Sequence, residues 1–179
     1  MLKKEHIIIP VLILLLGIQL IPFAMTAWMG ESIVLKVELY DPRDIFRGDY
    51  IALRFEEESV PVENVSLDLE QLEKIYDKKV YAIIKKQDES WTVVDIQLER
   101  PTQGMFIESR LDYLEYASGT DHSPSKKPIL IHLDFGIDRF YVEENTGGSF
   151  EDAARDGNLL SELKVWKGDV VMMELMIED

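Results

Sequence analysis

The hydrophobic pattern of the chain changes at Gly30. Before it, Ile7 to Trp28 reads IIIPVLILLLGIQLIPFAMTAW, apolar apart from Gln19 and Thr26 and free of charge. At ~1.5 Å per residue such a helix reaches roughly 30 Å, the thickness of a bilayer's hydrocarbon core. A helix in a soluble core would carry polar residues at helical spacing, which this run lacks. Pro10 lies near one end, where a missing N–H costs little, and Pro22 allows a kink in the last turns. Lys3 and Lys4 precede the run and Glu31 is the first charge after it. The excess of cations on the leading side predicts a cytoplasmic N-terminus and an extracytoplasmic remainder, with Trp28 at the interface. The run exceeds the ~7–15-residue core of a cleaved signal peptide, and Ala24-Met25-Thr26 makes a poor cleavage site. Residues 1–30 therefore read as an uncleaved signal anchor in the cell membrane, touching the bilayer through residues 7–28, and residues 31–179 as one exported domain.

After Gly30 the period is two. Ile33, Leu35, Val37 and Leu39 alternate with Ser32, Val34, Lys36 and Glu38, predicting a half-buried strand that Asp41-Pro42 ends. Residues 50–56 alternate again, with Ile51, Leu53 and Phe55 on one face. Glu56, Glu57 and Glu58 then run into Val60-Pro61, which reads as a solvated loop. Leu67, Leu69, Leu72 and Ile75 fit a short turn of helix with Asp68 as its cap. Lys78–Lys85 and Trp91–Leu98 predict a hairpin, Met105–Tyr116 a further strand, and Ala117–Pro128 a loop rich in Ser, Gly, Asp and Pro. Ile129–Leu133 and Gly136–Val142 are strand-like. Ser149–Asn158 predicts a helix with a capping serine and a Gly-Asn stop. Leu159–Trp166 and Asp169–Ile177 predict a closing pair around Lys167-Gly168. The expected fold class is mostly β, a β-rich α+β domain of short antiparallel strands with one or two short helices.

Charge and composition narrow the partners. The formal net charge is −15, from 34 acidic and 19 basic residues. No basic stripe follows residue 30, which argues against nucleic acid and against anionic headgroups as partners of the exported part. The chain has no cysteine, so disulfides, thiolate metal sites and cysteine nucleophiles are excluded. A hydrophobic content of 46% supplies a core and argues against wholesale disorder.

The candidate chemistry gathers between the first two strands. Arg43, Asp44, Arg47 and Asp49 place two cations and two anions within seven residues, just ahead of Tyr50. Read structurally, they form a turn in which guanidinium groups brace carboxylates and carbonyls. Read functionally, they line a binding site for a charged peptide or small ligand. Arg47-Gly48-Asp49 is echoed by Lys167-Gly168-Asp169, and both precede an alternating run. A strand-starting turn explains both better than an integrin-type tripeptide does.

Gly48-Asp49-Tyr50-Ile51-Ala52-Leu53-Arg54-Phe55 resembles the signature of the GDYXXLXY protein family, with Phe55 in place of a final Tyr. Asp41-Pro42-Arg43-Asp44 and Arg47 resemble the lead-in to that signature. Gly136-Ile137-Asp138-Arg139-Phe140-Tyr141-Val142 resembles a later segment, ahead of an acidic helix at Glu151-Asp152-Ala153-Ala154. The resemblance spans nearly the whole chain. It implies a membrane-anchored protein associated with an integral membrane protein, and it carries no catalytic assignment.

No catalytic set emerges beside it. A signal-peptidase-like serine–lysine pair needs a marked nucleophile, and Ser32, Ser59 and Ser66 lack one. His132 and Asp134 share a strand face with Asp138 nearby, a weak cation set that reads more simply as solvated or hydrogen-bonded side chains. Glu56-Glu57-Glu58 and Glu143-Glu144 read as solvated faces. The expectation is a non-enzymatic binding or accessory module that engages another membrane or envelope protein, with no cofactor and no metal. The alternatives are an envelope hydrolase or peptidase using carboxylates of the Arg43–Asp49 turn, and a small-ligand sensor or transport accessory.

Overall fold

The computed structural model describes residues 5–39, 50–88, 90–116, 127–141 and 147–178. Helix α1 (Glu5–Met29) runs through Pro10 and Pro22. Its stretch Ile9–Met29 is long and apolar enough to span a membrane, and it lies almost wholly outside the protein's packing. Strand β1 (Glu31–Leu39) follows after one residue, Gly30. The Gly30 N–H closes the last turn of α1 onto the Thr26 carbonyl at 2.9 Å. A Cβ there would stand 2.4 Å from that carbonyl oxygen and 3.1 Å from the Val165 nitrogen, so only glycine fits this corner. The last turns of α1 pack on the closing hairpin, leaving Thr26 fully buried.

Two five-stranded sheets hold the remaining strands. The first has β1 and β2 (Tyr50–Phe55), β8 (Arg139–Tyr141), β9 (Leu159–Trp166) and β10 (Asp169–Ile177), in the order β10-β9-β1-β2-β8. The second has β3 (Ser59–Pro61), β4 (Lys79–Gln87), β5 (Ser90–Gln97), β6 (Met105–Tyr116) and β7 (Pro128–Asp134), in the order β3-β7-β6-β4-β5. Every paired strand is antiparallel. The faces meet in one core, where Ile33, Leu35 and Val37 of β1 join Ile84, Ile96, Ile107 and Leu163. Each such side chain contributes about 1.5–3 kcal/mol through burial. Helices α2 (Leu69–Lys74) and α3 (Gly147–Arg155) cover the periphery. Asp68 caps α2 by accepting the Gln71 N–H at 2.8 Å, while Gln71 returns a bond to the Asp68 N–H.

The mostly-β expectation holds, and β1, β2, β6, β9 and β10 fall where the alternation places them. The β9–β10 turn is the two-residue Lys167-Gly168 loop, with φ of 52° and 91°. Positive φ at both positions is the two-residue hairpin geometry that follows the twist of the strands. This explains the Lys-Gly-Asp half of the echo; Arg47-Gly48-Asp49 lies outside the described residues.

Three expectations are corrected. The solvated loop after Glu58 is instead β3, paired to β7 through Ser59↔His132 and Val60↔Ile131. Helix α3 begins at Gly147, so Ser149 sits inside its first turn rather than capping it. Of the described part of Gly136–Val142, which ends at Tyr141, only Arg139–Tyr141 is strand, because Gly136 takes a φ of 76° and turns the chain first. The expected loop over Ala117–Pro128 lies mostly outside the described residues.

Candidate binding cleft

Strand β2 ends by driving Phe55 into the core, where it is fully buried and stacks on Phe135 at 6.1 Å. The chain must turn at once, and Glu56–Glu58 form a single 3₁₀ turn. This overturns the reading of the acidic run as a solvated face, since only Glu56 is exposed. Glu58 is buried and its two carboxyl oxygens accept the Phe55 N–H at 3.0 Å and the Phe135 N–H at 2.8 Å. Burial pushes its pKa up to about 7, against the two N–H groups and the Arg54 charge, which favour the ionised form.

Glu57 points the other way. Its Oε1 accepts the Lys36 N–H at 3.4 Å, and its Oε2 is buried with no hydrogen-bond partner. Burial raises its pKa to about 7 as well; hydrogen bonds from its own backbone and from Lys36 oppose the rise, and the neighbouring Glu56 and Glu58 charges add to it. Thr92 Oγ1 on β5 is likewise buried and unpartnered. Both atoms belong to side chains lining one cleft of about 380 Å³ between β1, the acidic turn, β3 and the start of β5. Lys36, Ser59 and Trp91 also line it, and the Lys36 Nζ pairs with Glu56 at 3.6 Å on the rim. Buried polar atoms are rarely left unpaired, so two of them just behind the lining of one cleft mark it as a candidate site for an incoming hydrogen-bond donor. A hydrogen-bond donor with positive charge, such as an amine, matches an ionisable carboxyl beside an aromatic ring.

Ser59 links the cleft to a second polar chain. Its Oγ lies 3.1 Å from His132 Nδ1, and His132 Nε2 lies 2.8 Å from Glu115 Oε2. In the tautomer that protonates Nε2, Glu115 accepts from it and Nδ1 accepts from the Ser59 hydroxyl. Tyr113 stacks on the imidazole at 4.1 Å, and Arg54 covers Tyr113 from 5.3 Å. These residue types match a nucleophile–base–carboxylate chain. The Ser59 N–H, however, donates to the Glu56 carbonyl rather than pointing at an oxyanion site.

The sequence-predicted site fares differently. Arg43, Asp44, Arg47 and Asp49 lie outside the described residues, and Tyr50 opens β2 opposite Tyr141. Of the two simpler readings of His132, solvated or hydrogen-bonded, the second holds: it is buried between Ser59 and Glu115, and Asp134 spends its carboxylate on the Gly136 N–H at 2.7 Å. Among the described residues, no group of three or more His, Asp or Glu is placed to hold a metal ion. The Glu57–Thr92 cleft and the Ser59–His132–Glu115 chain escape sequence reasoning because their members are brought together by strand pairing.

A profile of the family described as GDYXXLXY protein matches residues 12–175. The chain belongs to the GDYXXLXY family. No curated protein and no solved structure matches it. In this GDYXXLXY protein the two segments that carry the family pattern are partners in space. Tyr50, Ile51 and Ala52 pair with Tyr141, Phe140 and Arg139, and the Leu53 N–H donates to the Asp138 carbonyl at 3.0 Å. Leu53 and Phe55 of the signature are core residues, and the acidic turn that follows them builds one wall of the cleft.

Proposed function

We propose that this GDYXXLXY protein is a membrane-anchored, extracytoplasmic binding module, accessory to another membrane or envelope protein, that takes a cationic, hydrogen-bond-donating group of its partner into the Glu57–Thr92 cleft. The observation that carries this reading is the pair of unpartnered buried atoms, Glu57 Oε2 and Thr92 Oγ1, on one cleft. The apolar α1 supports anchoring, and Lys3 and Lys4 support a cytoplasmic N-terminus. The cleft lies roughly 17 Å along β1 from the end of α1, at ~3.4 Å per residue, within reach of a neighbour in the same membrane. A photoreactive residue at Trp91 should capture a membrane or envelope protein in intact membranes, and Glu57→Gln with Thr92→Val should abolish that capture. Capture that persists in the double variant, or none from the parent chain, would count against the reading.

The contact of Ser59 with His132 favours a second reading, an envelope hydrolase with Ser59 as nucleophile. It predicts covalent labelling of Ser59 by a fluorophosphonate, lost in His132→Gln. The Ser59 N–H already spent on Glu56 makes this the weaker reading.

A further inference from the structure

The face of the domain nearest α1 carries a larger cleft, of about 700 Å³. It opens at the helix–strand junction, with Met29 and Glu31 on one side, the 100–106 connection on another, and the Lys167-Gly168 turn on a third. Two cations reach it, Arg100 and Lys167. The Arg100 Nη2 donates to the Lys167 carbonyl at 2.6 Å, and Lys167 Nζ sits over the Trp166 ring at 4.5 Å. The acid on its lining is Glu31, and Asp169 stands beyond the turn. The lining itself thus carries one net positive charge, in a chain of net −15.

The turn is not held away from the helix. Asp169, Val170 and Val171 share a second, smaller cavity of about 300 Å³ with Pro22, Phe23 and Thr26 of α1. The Gly168 carbonyl accepts the Glu108 N–H at 2.8 Å, and a Cβ on Gly168 would strike Phe106 at 2.6 Å, so the turn is clamped onto β6. From Pro22 to Met29 α1 rises roughly 10 Å, somewhat more than the roughly 5–8 Å depth of one headgroup layer. With α1 spanning a bilayer, the turn therefore stands beside the last turns of the helix, where it passes from the hydrocarbon into the headgroups. Trp28, 94% exposed, marks the same level.

We propose that this cleft is a phospholipid headgroup site, in which Arg100 and Lys167 hold the phosphodiester, Trp166 lies at the glycerol level, and the domain is thereby seated on the leaflet through which α1 emerges. The inference rests on the reading of α1 as a membrane anchor. It revises the expectation that the exported part avoids anionic headgroups: two cations placed by the fold at the helix exit need no basic stripe. Arg offers a forked donor pair to phosphate, and Lys adds a point charge over an aromatic ring.

Two single-tryptophan forms of the full chain test it in bilayers whose phosphatidylcholine is brominated near the glycerol. One keeps Trp28 (Trp91→Phe, Trp166→Phe) and the other keeps Trp166 (Trp28→Phe, Trp91→Phe). Both are expected to lose fluorescence relative to unbrominated bilayers. Quenching of Trp28 but not of Trp166 overturns the headgroup site and leaves the anchor standing. Quenching of neither removes the anchor and the site together. In native mass spectrometry of the detergent-released full chain, Arg100→Gln with Lys167→Gln should lower retained phosphatidylglycerol about tenfold, the factor one charge-assisted hydrogen bond is worth. Unchanged retention overturns the role of the two cations.

Discussion

Raising the pH from 5 to 8 should destabilise the folded protein, and removing the carboxyls of Glu57 and Glu58 should flatten that dependence. The pKa of Glu58 is about 7 in the fold, against 4.5 when unperturbed. The folded chain thus holds this proton to higher pH than the unfolded chain does. Its contribution to stability is fully present below pH 4.5, shrinks as the pH rises, and is lost as the pH passes 7. At ~1.4 kcal/mol per pH unit across that gap, the loss is about 3 kcal/mol for Glu58. For a chain of this size that corresponds to a fall in Tm of about 6–12 °C. Glu57 adds in the same direction, but less than an equal share, because part of its own rise comes from the neighbouring charges of Glu56 and Glu58. Glu58→Gln is not silent at pH 5. Its carbonyl can accept only one of the Phe55 and Phe135 N–H groups well, and its NH₂ faces the other, costing about 1–3 kcal/mol. The informative quantity is therefore the slope with pH. Urea unfolding of the detergent-solubilised full chain, followed by tryptophan fluorescence at pH 5, 6, 7 and 8, measures it. Glu58→Gln should lose part of the slope and Glu57→Gln with Glu58→Gln most of it. A double variant that weakens with pH as steeply as the parent would refute the reasoning, as would a parent chain that gains stability over this range.

Three other substitutions probe the fold. Gly30→Ala sets a Cβ against the Thr26 carbonyl and the Val165 nitrogen, backbone atoms that cannot step aside, and should cost about 2 kcal/mol or more by the same urea assay. Asp68→Ala removes the cap of α2 and should cost about 0.5–2 kcal/mol, with the loss confined in hydrogen exchange to residues 69–76. His132→Phe keeps a ring for Tyr113 to stack on but strands the Ser59 hydroxyl, and should cost about 1–3 kcal/mol in thermal unfolding.

The strands that sequence reasoning places well are those with one wet face. β1 and β9 alternate buried and wetter positions along most of their length, so a shift by one residue would turn their apolar side chains outward. β3 is three residues long and contains Pro61, whose missing N–H confines it to an edge, where it pairs with β7 alone. Three residues cannot display a period, so the strand was invisible. The burial of Glu58 was invisible for a different reason. A run of three acids is ordinarily a solvated face, and the Phe135 N–H that holds this one lies 77 residues away. Its other partner, Phe55, is three residues back, and a large aromatic immediately before an acidic run was the one local hint that the chain turns inward there. The Ser59–His132–Glu115 chain depends on two registers at once, β3 on β7 and β7 on β6, neither of which leaves a mark on the sequence.

The family signature takes on a different meaning once the acidic turn is placed. Its charged lead-in drew attention as a possible site, yet its later residues do a structural task that can be followed atom by atom. Leu53 and Phe55 are buried two apart, so β2 must lie on the core face as far as Phe55. Phe140 and Arg139 of β8 pair with its outer half, which fixes the register of the strand between β1 and β8. With Phe55 held in the core, the turn that follows has little freedom: Glu58 folds back onto the Phe55 N–H, and this swings Glu57 to the opposite side, toward Lys36 and Thr92. The spacing between Phe55 and Glu57 is thus what puts an unpartnered carboxyl oxygen in the cleft. A substitution that shortened Phe55 would loosen Glu58 first and Glu57 through it, which ties the core position to the proposed binding in the cleft without any contact between Phe55 and a ligand. On that logic Phe55→Leu should weaken capture from Trp91 as well as stability, whereas Leu53→Ile, one step earlier and on the same face, should affect stability alone.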